Sequence, residues 1–222
     1  MPLTVIDRFH SGRRTALQAA VDAGRVRQID EMALLEPEQM LPLARFSLQL
    51  LVAGGIFFIV LNLGAYIWRT GQHGASLNFW LVVVWLGLNI LGYLLILPFH
   101  ELLHGVTIAL LGGRPHYGAK LPFALYCGAK NQMFSRGAYQ MIALAPFVVI
   151  SLAGIVLTLL APTISPYLLF ALVGNASGAA GDLWMFQRLR ALPAAALVED
   201  VETGYRAWEV VPLADDGTID PT

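Results

Sequence analysis

The 222-residue chain is 57% hydrophobic and only 13% charged, and its mean hydropathy is +0.63. Soluble domains carry roughly 25% charged residues, so the composition excludes an ordinary soluble domain and predicts a membrane protein with several spans. The net charge is -1 and no basic run stands out, so no nucleic-acid partner is expected, while the single cysteine excludes an intramolecular disulfide and a cysteine-ligated zinc cluster.

The N-terminal segment, residues 1–45, is polar and too long to be a cleaved signal peptide. The first apolar span after it is therefore expected to act as an uncleaved anchor. Within this segment, residues 12–35 predict one or two short helices.

Four apolar spans follow, each near the ~20 residues that a helix needs to cross the hydrocarbon. They cover residues 46–68, 77–111, 139–161 and 167–187. The second is too long for one upright crossing, so it is expected to tilt, to kink at Pro98, or to end in a segment near the interface. The sequence thus predicts an all-α integral membrane protein with about four transmembrane helices.

Short polar segments separate and follow these spans. The loop between spans two and three, "RPHYGAKLPFALYCGAKNQMFSRG", has turn residues around short β-prone pieces and predicts a hairpin. The C-terminal segment contains a strand-like piece, "AWEVVP", and the last ten residues, "LADDGTIDPT", have the composition of a disordered tail.

The positions of lysine and arginine predict the orientation. Of the 14 such residues, all but Arg69 lie in the N-terminal segment, the loop after span two or the C-terminal segment. With four spans these three regions fall on the same side of the membrane, and the positive-inside rule makes that side the cytoplasm. A multi-pass protein of the cell (inner) membrane with both termini cytoplasmic is expected.

One motif concentrates ionisable residues in the apolar region. Among the 15 acidic residues only Glu101 and Asp182 lie between residues 39 and 198, and the spans contain only two histidines, His100 and His104. "HELLH", residues 100–104, matches H-E-x-x-H, in which histidines at i and i+4 share one helical face and bind zinc while the glutamate takes a proton from water. The alternative is a set of core polar residues bonded to one another or to backbone carbonyls.

A catalytic zinc usually has three protein ligands, so the two histidines need a third. Asp182, in "NASGAAGDLWM", is the leading candidate because it is the only other acid within the spans and is near the cytoplasmic end of span four. It could equally be a polar residue at the headgroup level. His116, Glu199 and Glu202 are rival ligands.

Three further residues are candidates for accessory roles. Asn175 lies seven residues before Asp182 and so on about the same face of a continuous helix, where it could contact the substrate or a developing oxyanion, or bridge helices. His116 and Arg136 could also assist, although a solvent-exposed position accounts for both.

With these motifs the chain resembles the family of small bacterial membrane proteins known as "putative zincin peptidases", and is similar to intramembrane zinc metalloproteases of the site-2 protease type. The resemblance rests on "HELLH" ending an apolar span, the basic loop after it and "NASGAAGDLW". It implies a metalloprotease-like core over residues 46–190, flanked by a cytoplasmic segment, residues 1–45, and a partly disordered cytoplasmic tail, residues 191–222.

In site-2 proteases the motif histidines and an aspartate of a later helix bind zinc, and the glutamate is the base. By position these are His100, His104, Asp182 and Glu101. Around Asp182 the sequence departs from the Leu-Asp-Gly pattern of that family, since Gly181 precedes it and Leu183 follows.

The resulting hypothesis is a zinc-dependent intramembrane endopeptidase that hydrolyses peptide bonds of membrane-associated substrates near the cytoplasmic face. Its expected partners are the lipid bilayer and a membrane protein or peptide substrate. Two alternatives stay open at this stage. One is a metal transporter or sensor, which also places histidine and aspartate within spans, and the other is an inactive relative that retains zinc.

Overall fold

Helices and strands alternate along the chain in the computed structural model, which describes residues 3–73, 78–120, 124–201 and 203–212. The helices are α1 (Ser11–Asp22), α2 (Pro37–Thr70), α3 (Phe79–Leu110), α4 (Arg136–Leu160), α5 (Leu169–Gly178) and α6 (Ala180–Arg190). The strands are β1 (Thr4–Ile6), β2 (Val26–Ala33), β3 (His116–Lys120), β4 (Ala124–Gly128), β5 (Gln132–Ser135), β6 (Leu197–Val201) and β7 (Gly204–Val210).

The chain folds into two compact units, each assembled from separate segments. The sheet unit comprises Met1–Gln39, Leu102–Leu144 and Asp182–Thr222. The helical unit comprises Met40–Glu101 and Ala145–Gly181. The three-part division expected from the sequence remains a prediction.

The sheet unit contains a five-stranded sheet with the order β1-β5-β6-β7-β2. Strand β1 runs parallel to β5, and the other neighbours are antiparallel. The side chains of Phe134, Leu197, Val198 and Tyr205, which belong to its strands, are fully buried. The expectation of an all-α protein is therefore wrong, because strands that are only three to eight residues long carry too little periodic pattern to stand out in so apolar a sequence.

Smaller sequence predictions in this unit have mixed outcomes. Residues 12–35 form one helix, α1, and then strand β2 rather than a second helix. Strands β3 and β4 form the predicted hairpin, and "AWEVVP" overlaps strand β7, as expected. The predicted disordered tail, residues 213–222, lies outside the described residues.

Three helices of the described residues, α2, α3 and α4, are long and apolar enough to cross a membrane. Large apolar side chains are exposed along them, for example Val60, Leu95 and Leu160 at 63%, 59% and 66%. Such a continuous apolar belt is typical of a surface that contacts lipid, which indicates a membrane protein. Helix α3 continues as one helix through Pro98.

The fourth apolar segment is not a single spanning helix, so the expectation of four such helices is not confirmed. It consists of a 3₁₀ turn at Ser165–Leu168, the ten-residue helix α5 and the eleven-residue helix α6. Helix α5 packs closely in the helical unit, since a Cβ at Gly54 of α2 would lie 3.1 Å from Cβ of Ala176. Small residues permit this approach of helix backbones.

Amide and indole side chains of earlier helices hold the irregular backbone before α5. The Nδ2 atom of Asn89 donates to the carbonyl oxygen of Pro166 at 3.0 Å, and its Oδ1 atom accepts from the backbone N–H of Phe170 at 2.8 Å. Trp85 Nε1 also donates to Pro166, at 2.9 Å, and Asn62 Nδ2 donates to the carbonyl oxygen of residue 162 at 3.1 Å. Backbone polar groups at membrane depth need such partners, because lipid supplies none.

Candidate metal centre

Helix α3 brings His100, Glu101 and His104 together in the described part of the chain. One ligand atom from each lies within 4.8 Å of the others. The two histidines are buried, at 8% and 6% exposure, because they share the helical face that turns away from the apolar surface. The cluster has the residue types and spacing of a zinc site.

The ring of His104 is oriented by a backbone carbonyl. Its Nδ1 atom lies 2.9 Å from the carbonyl oxygen of Ile142 at the start of helix α4. Since a carbonyl oxygen can only accept a hydrogen bond, Nδ1 carries the proton and donates it. The Nε2 atom is then the one available to a metal, as in most histidines that bind zinc.

The Nε2 atom of His104 faces the carboxylate of Asp182, whose Oδ2 atom is 3.4 Å away. The side chains of both residues are largely buried, with 8% and 13% exposure. A nitrogen lone pair and a carboxylate that face each other in a buried place need a proton or a metal cation between them. The donor set therefore fits a zinc ion.

His100 is oriented in a similar way within the helical unit. Its Nδ1 atom lies 3.0 Å from Oδ1 of Asn175, so Nδ1 donates and Nε2 is available as a ligand. Asn175 belongs to helix α5 and is only 2% exposed. Its Nδ2 atom is buried and has no hydrogen-bond partner among the described residues. A buried amide donor of this kind is suited to a group that arrives with the substrate.

Asp182 lies in the first turn of helix α6, where the helix dipole favours a carboxylate. Helix α6 is also anchored from the sheet. The guanidinium of Arg188 donates to Asp30 on strand β2 through Nε at 3.0 Å and Nη2 at 2.7 Å, and the Tyr205 hydroxyl donates to Asp30 at 2.6 Å. Burial acts to raise the pKa of Asp30, but these hydrogen bonds outweigh it and lower the pKa.

Because a break at Ala179 separates α5 from α6, Asn175 and Asp182 belong to different helices. The expectation that they share a face of one continuous helix is therefore wrong. Small residues flank the break, with Gly178 before it and Gly181 after it, and glycine disfavours a continuous helix.

The rival ligands occupy other surroundings. His116 is exposed at the start of strand β3. Glu199 accepts a hydrogen bond from Trp208 Nε1 at 3.1 Å, and Glu202 lies outside the described residues. Arg136 is only partly exposed, contrary to expectation, and its Nη1 atom donates to the carbonyl oxygen of Leu192 at 2.5 Å.

Asp200, on strand β6, is a half-buried acid that sequence reasoning missed. Its Oδ1 atom accepts from the hydroxyl of Tyr139 and its Oδ2 atom from the backbone N–H of Ala129, both at 2.7 Å. Burial raises the pKa of Asp200, while these hydrogen bonds oppose the rise. The signal was the alternation of strand β6, which turns Asp200 to the face opposite Glu199.

The hairpin packs directly against the residue that follows the motif. A Cβ atom at Gly105 would lie 1.9 Å from the Tyr117 hydroxyl oxygen and 3.2 Å from Cys127 Sγ. A larger residue at position 105 would require the Tyr117 side chain to move, which accounts for the glycine that ends "HELLHG".

Comparisons with known proteins agree with this geometry. Residues 93–197 match the sequence profile of a family described as "Putative zincin peptidase". No curated protein and no solved structure matches the chain. The matched region contains the whole motif and Asp182, so the chain is similar to this family of zinc peptidases, and zinc is the metal that the similarity implies for the cluster of His100, Glu101 and His104.

Proposed function

We propose that the chain is a zinc-dependent intramembrane endopeptidase of the site-2 protease type. It hydrolyses peptide bonds of membrane-associated substrates near the cytoplasmic face. The observation that carries this proposal is the pair of Nδ1 hydrogen bonds, from His100 to Asn175 and from His104 to Ile142. They place the lone pair of each neutral imidazole on Nε2, the atom that would bind zinc, on a helix apolar enough to span a membrane.

The residues that would hold zinc are His100, His104 and Asp182. The distance of 3.4 Å between His104 Nε2 and Asp182 Oδ2 supports the third ligand. When bound, zinc supplies an acidic water and polarises the scissile carbonyl. Glu101, one residue after His100, takes the proton of the attacking water and delivers it to the leaving amine.

Asn175 has two tasks in this proposal. Its Oδ1 atom holds the His100 ring, and its unpartnered Nδ2 atom donates to the substrate carbonyl oxygen as negative charge develops there. Both tasks are compatible because an amide side chain offers an acceptor and a donor at once.

The substrate is a transmembrane or membrane-associated protein that unwinds locally, because helical peptide bonds are shielded by their own hydrogen bonds. The hairpin of β3 and β4 supports this step, since each of its strands has one edge unpaired among the described residues. An extended substrate segment can pair with such an edge. Strands β2, β5 and β7 of one sheet come from the N-terminal segment, the middle loop and the C-terminal segment, and the excess of lysine and arginine in these three regions supports a cytoplasmic location for them.

The test is cleavage of a panel of single-span reporter proteins in proteoliposomes, combined with zinc analysis. Glu101→Gln is expected to lower the cleavage rate by about 10²–10⁴-fold and to retain zinc. The matched control is Glu209→Gln, on strand β7, which is expected to retain both the cleavage rate and the zinc. Wild-type cleavage by Glu101→Gln would overturn the role of the base, and zinc content unchanged by His100→Ala and His104→Ala would overturn the whole proposal.

A further inference from the structure

A second surface of the sheet unit has the features of a membrane contact. The basic segment, residues 8–14 with the sequence "RFHSGRR", includes the end of the loop after strand β1 and the first turn of helix α1. All seven of its residues are exposed, and Phe9 is 70% exposed. A large aromatic side chain so open to solvent, between arginines, is typical of segments that lie in a membrane interface.

The basic segment is attached to the end of a candidate membrane span. The Nη1 atom of Arg8 donates to the carbonyl oxygen of Leu110, the last residue of helix α3, at 3.0 Å. Next to it the chain turns at Gly112, which has a φ of +90° and whose Cβ position would lie 3.2 Å from Cβ of Arg8. Arg8 therefore satisfies one of the carbonyl groups that a helix end leaves without an intrahelical partner.

The exposed apolar face of α3 continues to this end. Leu102, Val106 and Leu110 follow one another at helical spacing and are 47%, 44% and 63% exposed. In a spanning helix such a face contacts lipid up to its last apolar turn. Leu110, and with it the basic segment, is accordingly placed where hydrocarbon gives way to headgroups.

We propose that residues 8–14 bind the headgroups of anionic phospholipids. The guanidinium groups of Arg13 and Arg14 contact the phosphates, and Phe9 inserts at the boundary of the acyl chains. The charge balance fits this ligand. The nearby acid, Asp7, pairs with His10 at 3.2 Å and only weakly with Arg13 at 3.9 Å, which leaves the segment with a net positive charge.

Arginine suits this task because its planar guanidinium can donate two parallel hydrogen bonds to a phosphate. Since Arg8 bonds to Leu110, headgroup binding at Arg13 and Arg14 secures the turn at Gly112 that follows helix α3. This surface acts independently of any peptidase activity.

The test measures the depth of residue 9 in the intact protein. A nitroxide label is attached to Phe9→Cys in a Cys127→Ser background, and the protein is placed in nanodiscs of phosphatidylcholine with or without phosphatidylglycerol. Accessibility to oxygen and to a water-soluble nickel complex reports immersion. With phosphatidylglycerol the label is expected to be protected from nickel. A label at Gln28→Cys, on strand β2, serves as the water-exposed reference.

Removal of the arginine charges distinguishes headgroup binding from burial of residue 9 that does not depend on charge. The double variant Arg13→Gln with Arg14→Gln is expected to lower the ratio of immersed to exposed label by about 30-fold, because each arginine contributes a factor of about five. The matched control, Arg25→Gln with Arg27→Gln, removes the same charge elsewhere and is expected to change little. The proposal is overturned if residue 9 is as nickel-accessible as residue 28, or if its immersion is the same without phosphatidylglycerol. It is also overturned if only a DNA oligonucleotide, added in detergent, immobilises the label.

Discussion

The Nε2 atom of His104 lies 3.4 Å from the Oδ2 atom of Asp182, although the two residues belong to different helices, α3 and α6. The opposite nitrogen of His104 is already engaged with Ile142. The imidazole ring therefore cannot rotate without losing a buried hydrogen bond. This pair defines a place for a cation, and the first prediction follows from it.

Asp182→Ala is expected to lower zinc affinity by more than about 100-fold, because loss of a direct ligand should exceed the 10–100-fold cost of losing a residue that only orients one. Chelator competition on the purified protein measures it. Glu199→Gln is the control, since Glu199 is a buried acid of the same unit that bonds to Trp208. Wild-type affinity in Asp182→Ala would show that the third ligand is another residue.

Asn175→Leu is expected to lower zinc affinity by about 10–100-fold, because the His100 ring loses the acceptor that orients it. Ser177→Ala changes a neighbouring polar residue of α5 and is expected to bind zinc normally. The same chelator competition, together with kcat and KM, separates the two tasks of Asn175. A lower kcat with unchanged zinc affinity would show that Asn175 contacts the substrate but does not orient His100 for zinc binding.

Gly105→Ala is expected to destabilise the protein by about 1–3 kcal/mol, since the new methyl group would overlap the Tyr117 hydroxyl. Gly87→Ala is a matched control on the same helix, where no atom lies within 4 Å of the added Cβ. Thermal unfolding in detergent measures both. Adding Tyr117→Ala should recover much of the loss in Gly105→Ala, and strictly additive effects would contradict the proposed contact.

The link between Asp30 and Arg188 predicts a loss of stability in acid. Because the folded-state pKa of Asp30 is lowered, its contribution is present above the unfolded value of about 3.8 and is lost as the pH falls through the folded value. Melting temperatures between about pH 6 and pH 3 should therefore fall less steeply in Asp30→Asn than in the wild type.

Glu31→Gln is the control for that experiment. Glu31 is the exposed neighbour of Asp30, and hydrogen bonds from Gln28 and Arg206 lower its pKa. Because solvent screens exposed ion pairs, loss of the Glu31 carboxylate should change the fall of the melting temperature in acid only a little. Parallel pH profiles for Asp30→Asn and the wild type would contradict the prediction.

The sequence was informative about the centre because its signals are local or rare. The i,i+4 spacing of His100 and His104 is visible in five residues, and Asp182 stands out as one of two acids in the apolar region. Asp200 could not be recognised in the same way. It lies among several acids near the C-terminus, and only the pairing of β6 with β5 brings it to Tyr139 and Ala129.

The fold was harder to predict from the sequence, for a related reason. Strand β1 has three residues and pairs with β5, which is far away in the chain. Such pairing depends on partners that a local pattern does not reveal. The break between α5 and α6 was missed because the run is apolar throughout, and apolar length alone does not distinguish one spanning helix from two shorter ones.

The side chains that hold the backbone before α5 have a consequence for biosynthesis. Asn62, Trp85 and Asn89 belong to α2 and α3, which leave the ribosome before the segment that they hold. Without them, the carbonyl groups around Pro166 would enter hydrocarbon unsatisfied. The two earlier helices therefore serve as an assembly template, and the last apolar segment should become stably integrated only after both are in the bilayer.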